Sequence, residues 1–428
     1  MSTLKVNKLR DTAGSADAIT LDPNGGAVLA GVTTVTSVKV GAAVTISESG
    51  IEASGIGITC ANINGTQIGG RRNIIINGDM TVAQRGTPTA AASYTSGGYG
   101  ACDRWRFRAI STDEADFVIS QESDAPTGSG FSRSLKIKTN TIENTLDSNE
   151  IFHVSQPIEA QNLQHLKNGT SSALPITLSF WVKSYQTGTY VVTVYKPDNT
   201  NRQISATYTI SASNTWEFKT MTFPGDTSGS GINNDNGIGF QIYWLLAAGS
   251  GFTGTTNTSW ANYADGGFAN GQTVNIFSST SNYFYLTGVQ LEIGTQATPF
   301  EHRSFAEELT LCQRYCEVIL EGESDGAYMA NSVAYTTNQL YAIFRFKVEK
   351  RVSPTLYHTT GTNYYINYRD NSGIGFNEFN GIIFRSSNLF ESSSMNYYIW
   401  LRYSESIKEL NFLLYASKKD LDLRKVSF

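Results

Sequence analysis

Charge is scarce in this sequence. Asp, Glu, Lys and Arg make up 16% of its 428 residues, and the formal net charge is −5. By segment the charge is +1 over residues 1–72, −6 over 73–302 and 0 over 303–428. No stretch is therefore the basic patch that nucleic-acid binding requires. Cysteine is scarcer still, with four in all, too few for a disulfide framework. Cys312 and Cys316 stand one helical turn apart, where a small apolar side chain is wanted. A zinc site would need four ligands, and only His302 is near in sequence. No run of 18 apolar residues occurs, and MSTLKVNKLRDTAGSADAIT lacks the apolar centre of a signal peptide. Neither membrane insertion nor secretion by the usual route is expected. Also missing are a Walker-type loop, a nucleotide fingerprint, a zinc-protease helix and a nucleophile elbow. The four histidines, His153, His165, His302 and His358, are scattered. No catalytic residue, cofactor or metal is therefore expected. Asp79 and Glu292 would make two ligands of a structural Ca2+ site, which needs six or more oxygens. A glycosidase pair of carboxylates cannot be read from spacing.

What is abundant is Gly, Ser, Thr and Asn, with 12% aromatics, the balance of an all-β, turn-rich chain. Residues 1–25 are polar and too short to fold alone. Residues 26–72 are short Val/Ile/Thr runs cut by Gly or Ser. One such chain cannot bury Val35, Val38, Val40, Val44 and Ile46, whereas several copies wound on one axis can. This predicts a fibrous shaft in a homotrimer. Residues 73–302 read as one β-sandwich, its strands separated by turn residues at regular intervals. RNIIINGD is expected to open it as a strand ending in a turn at Asn77-Gly78. In LSFWVKS, Leu178, Phe180 and Val182 share one face and Ser179, Trp181 and Lys183 the other. Trp181 on that polar face is a candidate platform for a flat ligand such as a sugar ring.

The run Tyr283 to Leu320 organises the rest. YFYLTGVQL is a strand covered on both faces. Gly294 and Pro299 then break the chain, and Ser304 with Glu307 forms a capping-box pair that starts a helix. Phe305, Leu309, Cys312, Cys316 and Ile319 form one apolar seam and Leu311, Tyr315 and Val318 a second, so a helix up to Gly322, buried on two sides, is expected. Residues 303–428 continue as strands and hold 12 of the 22 tyrosines. In residues 362–381, strand alternation turns Tyr364, Ile366 and Tyr368 one way and Tyr365 and Asn367 the other. Tyr365, Asn367, Arg369 and Asp370 are the expected exposed, receptor-contacting members.

Several segments together resemble a known module. RNIIINGDMTVAQRGT, YGACDRWRF, VSQPIE, LSFWVKS and LTGVQLEIGTQATPFEHRSFAEELTLCQRYCE are similar, in that order, to a module of bacteriophage tail fibres, especially of marine and cyanobacterial phages. The likeness covers roughly residues 73–320. MSTLKVNKLRDT and the Val/Thr-rich shaft also look like the N-terminal parts of such fibres. The resemblance implies a homotrimeric virion protein made in the host cytoplasm. It implies a tail-attachment segment over 1–25 that meets a tail adaptor or tube protein, and a shaft over 26–72. A jelly-roll domain similar to carbohydrate-binding modules would follow over 73–302, then a helix and β tip over 303–428 facing a host surface glycan or receptor. Two other readings stay open, a virion-associated polysaccharide depolymerase and a purely structural fibre or adaptor.

Overall fold

Alternation of apolar and polar residues along short runs dictates strands, and among the described residues these make up most of the regular structure. The computed structural model describes residues 71–86, 98–110, 116–254, 258–319 and 345–354 in full; elsewhere only the backbone of the strands named below is described. Residues 1–61 and 62–428 form two compact units. The first contains two antiparallel three-stranded sheets, Lys8–Arg10 with Asp17–Leu21 and Ala27–Leu29, and Ser37–Val40 with Val44–Ser47 and Gly50–Ala53.

The second unit contains a two-sheet sandwich of the jelly-roll kind. Its strands are β1 (Thr89–Ala90), β2 (Gly98–Tyr99), β3 (Arg106–Ile110), β4 (Asp116–Glu122), β5 (Ser134–Thr141), β6 (Ile151–Glu159) and β7 (Ile176–Ser184). They continue as β8 (Gly188–Lys196), β9 (Arg202–Ile210), β10 (Glu217–Phe223), β11 (Ile238–Ala248), β12 (Ala261–Asn262) and β13 (Tyr283–Ile293). One sheet has the order β10-β7-β13-β5-β4-β1, the other β12-β9-β8-β11-β6-β3-β2. Every pairing is antiparallel. Between the sheets lies an aromatic core. Trp105 and Trp244 meet edge-on at 5.4 Å, Phe180 meets Trp244 at 5.7 Å, and Phe117, Phe152 and Phe277 pack together. Burial of rings this large dominates the stability of such a core.

β13 is interior to its sheet and buried from Phe284 to Glu292, as its apolar composition predicts. At Gly288 its φ is +60°, and an added Cβ would lie 2.7 Å from the Phe131 ring. The register against β7 shifts there, between Ser179 and Trp181.

The expected opening strand at RNIIINGD does not form; residues 75–79 are bends and a turn. Two asparagines take over the pairing that a strand would have supplied. Asn73 accepts from Ile75 N and Leu291 N and donates to Val289 O. Asn77, with φ +57°, accepts from Val82 N and donates to Val82 O and Asp103 O. Asn and Gly are the residues that tolerate this left-handed backbone.

The helix, α1 (Phe305–Gln313), starts at Ser304 with the expected capping box to Glu307. It is shorter than expected. Gln313 is its last residue, and Cys316–Glu317 is already a strand, β14. Nor is it buried on two apolar seams, because Phe305 is 59% exposed while Glu308, Cys312 and Gln313 are buried. A carboxylate takes the inward position because it has work there. Glu308 accepts from Asn77 N and pairs with Arg303, which also donates to Ile75 O at 3.0 Å. Glu301 accepts from the backbone N–H of both Arg72 (2.8 Å) and Asn73 (2.6 Å). Past the helix, Arg314 grips Glu159 at 2.8 and 2.9 Å, Tyr315 donates to the same carboxylate, and Gln84 donates to Cys316 O at 2.7 Å. The chain entering the sandwich and the chain leaving it are thus tied by one polar clasp.

Beyond the clasp, Lys350 pairs with Glu317 in a buried contact. A seven-stranded sheet runs in the order Gly375–Phe379, Tyr365–Arg369, Phe412–Ala416, Tyr328–Thr336, Gln339–Arg345, Asn396–Arg402, Ile382–Arg385. β14 joins Lys425–Ser427 and Thr355–Tyr357 in a small sheet. Among the described residues no helix is long and apolar enough to cross a membrane.

Candidate functional site

In the sandwich sheet β12-β9-β8-β11-β6-β3-β2 the strands send alternate residues outward. On β3 Phe107 and Ala109 are core, which turns Arg106, Arg108 and Ile110 out. On β6 the same alternation turns out Ile151 and His153, on β8 Thr193 and Tyr195, on β11 Tyr243 and Leu245. Register then places His153 directly opposite Arg108, and Thr193 opposite Tyr243. This outward face is not left to water. The long loop after β11, polar in composition, folds back over it. Gly249 N and Gly251 N donate to Glu150 O and Ser148 O. Thr193 Oγ1 donates to Phe268 O at 2.5 Å, Ser205 Oγ to Gly267 O at 3.0 Å, and Gln203 Nε2 to Ala264 O at 2.9 Å. Gly249 is the one residue that fits the approach, since a Cβ there would sit 1.8 Å from Asp147 O.

Between sheet and loop a cleft of about 170 Å³ remains. Its walls are aromatic. Tyr195 meets Tyr263 at 5.3 Å, Tyr243 meets Phe268 at 4.8 Å, and His153 meets Tyr243 edge-on at 4.6 Å. Phe252, Ile110 and Ile151 complete the apolar lining, and Arg108 and His153 supply its polar atoms. An apolar cavity with a few placed polar groups is the general form of a small-ligand site. Burial, with Arg106 and Arg108 beside it, pushes the His153 pKa down to about 3, so the imidazole is neutral. Burial pushes the Tyr195, Tyr243 and Tyr263 hydroxyls up, with Asp265 adding to the effect on Tyr263, whose hydroxyl it accepts at 2.5 Å. All three phenols stay protonated; Tyr263 gives its proton to Asp265, which leaves Tyr195 and Tyr243 able to donate to a ligand.

Of the residues singled out from sequence, Trp181 lies half-buried on the outward face of the other sheet, its ring 5.4 Å from Phe218. Lys183 on that face pairs with Asp124 and lies 4.4 Å from the Tyr285 ring centre. Trp181 and the cleft are therefore on opposite sheets. Tyr365, Asn367 and Arg369 fall on the strand Tyr365–Arg369, but their side chains, like the whole of Asp370, lie outside the described residues. The cleft itself was not anticipated. Its signal was present in His153, Tyr195 and Tyr243, each an outward-turned polar aromatic in a strand whose inward face is apolar. Asp79 and Glu292 do not converge on a metal site. Asp79 accepts from Thr81, Glu292 from Gln290 and Thr298, and no metal-binding cluster exists among the described residues.

No protein-family model and no curated protein matches the sequence. Solved structures do align with it at low identity. The enzymatically active domain of tailspike protein 4 of bacteriophage CBA120 is 13% identical over 52% of this chain and 21% of its own, with a TM-score of 0.27. A family 11 carbohydrate-binding module of a Clostridium thermocellum cellulosomal cellulase is 11% identical over 51% of this chain and all of its own, with a TM-score of 0.25. A family 4 carbohydrate-binding module gives 11% identity over 51% and 97%, with a TM-score of 0.26. This chain thus spans about a fifth of the tailspike domain, and likenesses at these scores assign it no ligand.

Proposed function

We propose that this protein is a bacteriophage tail fibre that recognises a glycan on the host surface and is not itself an enzyme. The observation that carries the glycan part is the aromatic cleft over Arg108 and His153. Tyr195, Tyr243, Tyr263 and Phe268 offer ring faces for the apolar side of a sugar, and the neutral imidazole and phenols offer hydrogen bonds to its hydroxyls. The tail-fibre part rests on the sequence resemblance over roughly residues 73–320 and on the Val-rich segment 26–72, which suits a three-fold shaft. In this reading residues 1–25 dock on the tail, and the tip over 303–428 reaches the host, with Tyr365, Asn367, Arg369 and Asp370 as further contacts. Single weak sites would be reinforced about 10²–10⁴-fold when several copies engage at once.

The test is competition. Purified protein should block phage adsorption, and Tyr263→Ala should weaken the block while leaving melting unchanged, since Tyr263 is 38% exposed. Undiminished blocking by Tyr263→Ala, with loss in a Tyr365→Ala, Arg369→Ala variant, would move the receptor site to the tip. Shortened polysaccharide after incubation with the protein would favour the depolymerase reading instead.

A further inference from the structure

The cleft has a charge asymmetry that a site for neutral sugars does not need. Its polar floor is cationic, and among the described residues none of the nine that line it is acidic. The buried Nε of Arg108 has no hydrogen-bond partner among the described residues, and neither has Nδ1 of His153, a side chain only 3% exposed. Leaving a buried donor unmet, above all on a charged group, is costly, so such a group calls for a partner, a water or a ligand. Arg106 lies beside them on the same outward face; Asp265, the acid bonded to the Tyr263 wall, is held by that phenol. A planar guanidinium is matched in shape and charge by a carboxylate, which it can grip through two parallel hydrogen bonds. The general field does not supply this preference, because residues 73–302 carry −6 overall.

Size bears on the ligand too. A cavity of roughly 150 Å³ holds one benzene ring, so about 170 Å³ gives room for one pyranose ring. We infer that the cleft takes a single carboxylated sugar, a uronic acid at a chain end or branch, with its carboxylate on Arg108 and a hydroxyl on His153. This rests on the reading of the cleft as a glycan site.

Ligand-observed NMR with the full-length protein tests it, using glucuronic acid, its methyl ester and glucose. Glucuronic acid should bind at least about tenfold more tightly than either neutral sugar, and Arg108→Gln should remove that preference while melting is unchanged. Arg108→Lys, which keeps the charge and loses the fork, should lose most of the preference and serves if the glutamine variant misfolds. Equal binding of glucuronic acid and glucose, or an undiminished preference in Arg108→Gln, overturns the acidic-sugar inference and leaves the glycan reading standing. Binding of none of the three, nor of xylan, cellulose or polygalacturonate, sinks both.

Discussion

Asn77 shows how much one side chain can organise. It is fully buried and takes part in six hydrogen bonds, with Glu308, Val82 twice, Asp103, and, through its carbonyl, Trp105 and Met80. Asn77→Ala strands three buried partners and puts a less suitable residue at φ +57°. Denaturant titration should show a loss on the order of 3 kcal/mol or more. Glu159 gives a second expectation, for pH. Burial pushes its carboxyl up, but hydrogen bonds from Arg314 and Tyr315 outweigh this and hold it below the usual range. A depressed folded-state pKa means stability that is present above the unfolded value near 4.5 and lost as pH falls through the folded one. Thermal melts should therefore drop below about pH 4.5, and Glu159→Gln should flatten that part of the curve. Neither role was legible beforehand, since Asn77 reads locally as a hairpin turn and Glu159 as a strand end. Glu308, which holds Asn77, and Arg314, which holds Glu159, each lie more than 150 residues away.

At the scale of elements, most sandwich strands were legible, the opening one expected at RNIIINGD does not form, and the helix was legible only in part. SLKIKT, ITLSFWVKS and IGFQIYWLL carry β-branched and aromatic runs between turn residues, and each is a strand. The helix start was legible because a capping box is local chemistry. Its end was not, because the apolar residues past Gln313 serve a turn and β14, with no residue in the sequence to mark the change. Ser304→Ala should cost about 1 kcal/mol by urea titration. Leu309→Asp should cost less than Glu308→Ala, which breaks the clasp from inside. A chain beginning at residue 62 should melt cooperatively, whereas one beginning at residue 81, without Asn73 and Asn77, should melt far lower. The cleft was illegible for a different reason. Its residues come from four strands and a loop, and Tyr243 sits in YWLL, where burial on both faces hides the alternation. The segments that resemble tail fibres, by contrast, largely build the clasp. They report how the domain closes more than what it binds.

For the whole molecule, the proposed trimer is the expectation most exposed to test. Light scattering at micromolar concentration should give three times 46.7 kDa; a clean monomer would remove the argument from residues 26–72. Deleting residues 1–25 should leave the purified protein folded and the virions bare, and fully decorated virions would place attachment elsewhere.

The clasp also bears on what happens under tension. The backbone enters at Arg72 and leaves at Arg303, and Glu301, Glu308 and Arg303 bond straight across that gap. A pull along the chain meets these bonds before it can draw out the strands between them. It is also felt inside the sandwich, because Asn73 holds Val289 and Leu291 of β13 and Arg314 holds Glu159 at the end of β6.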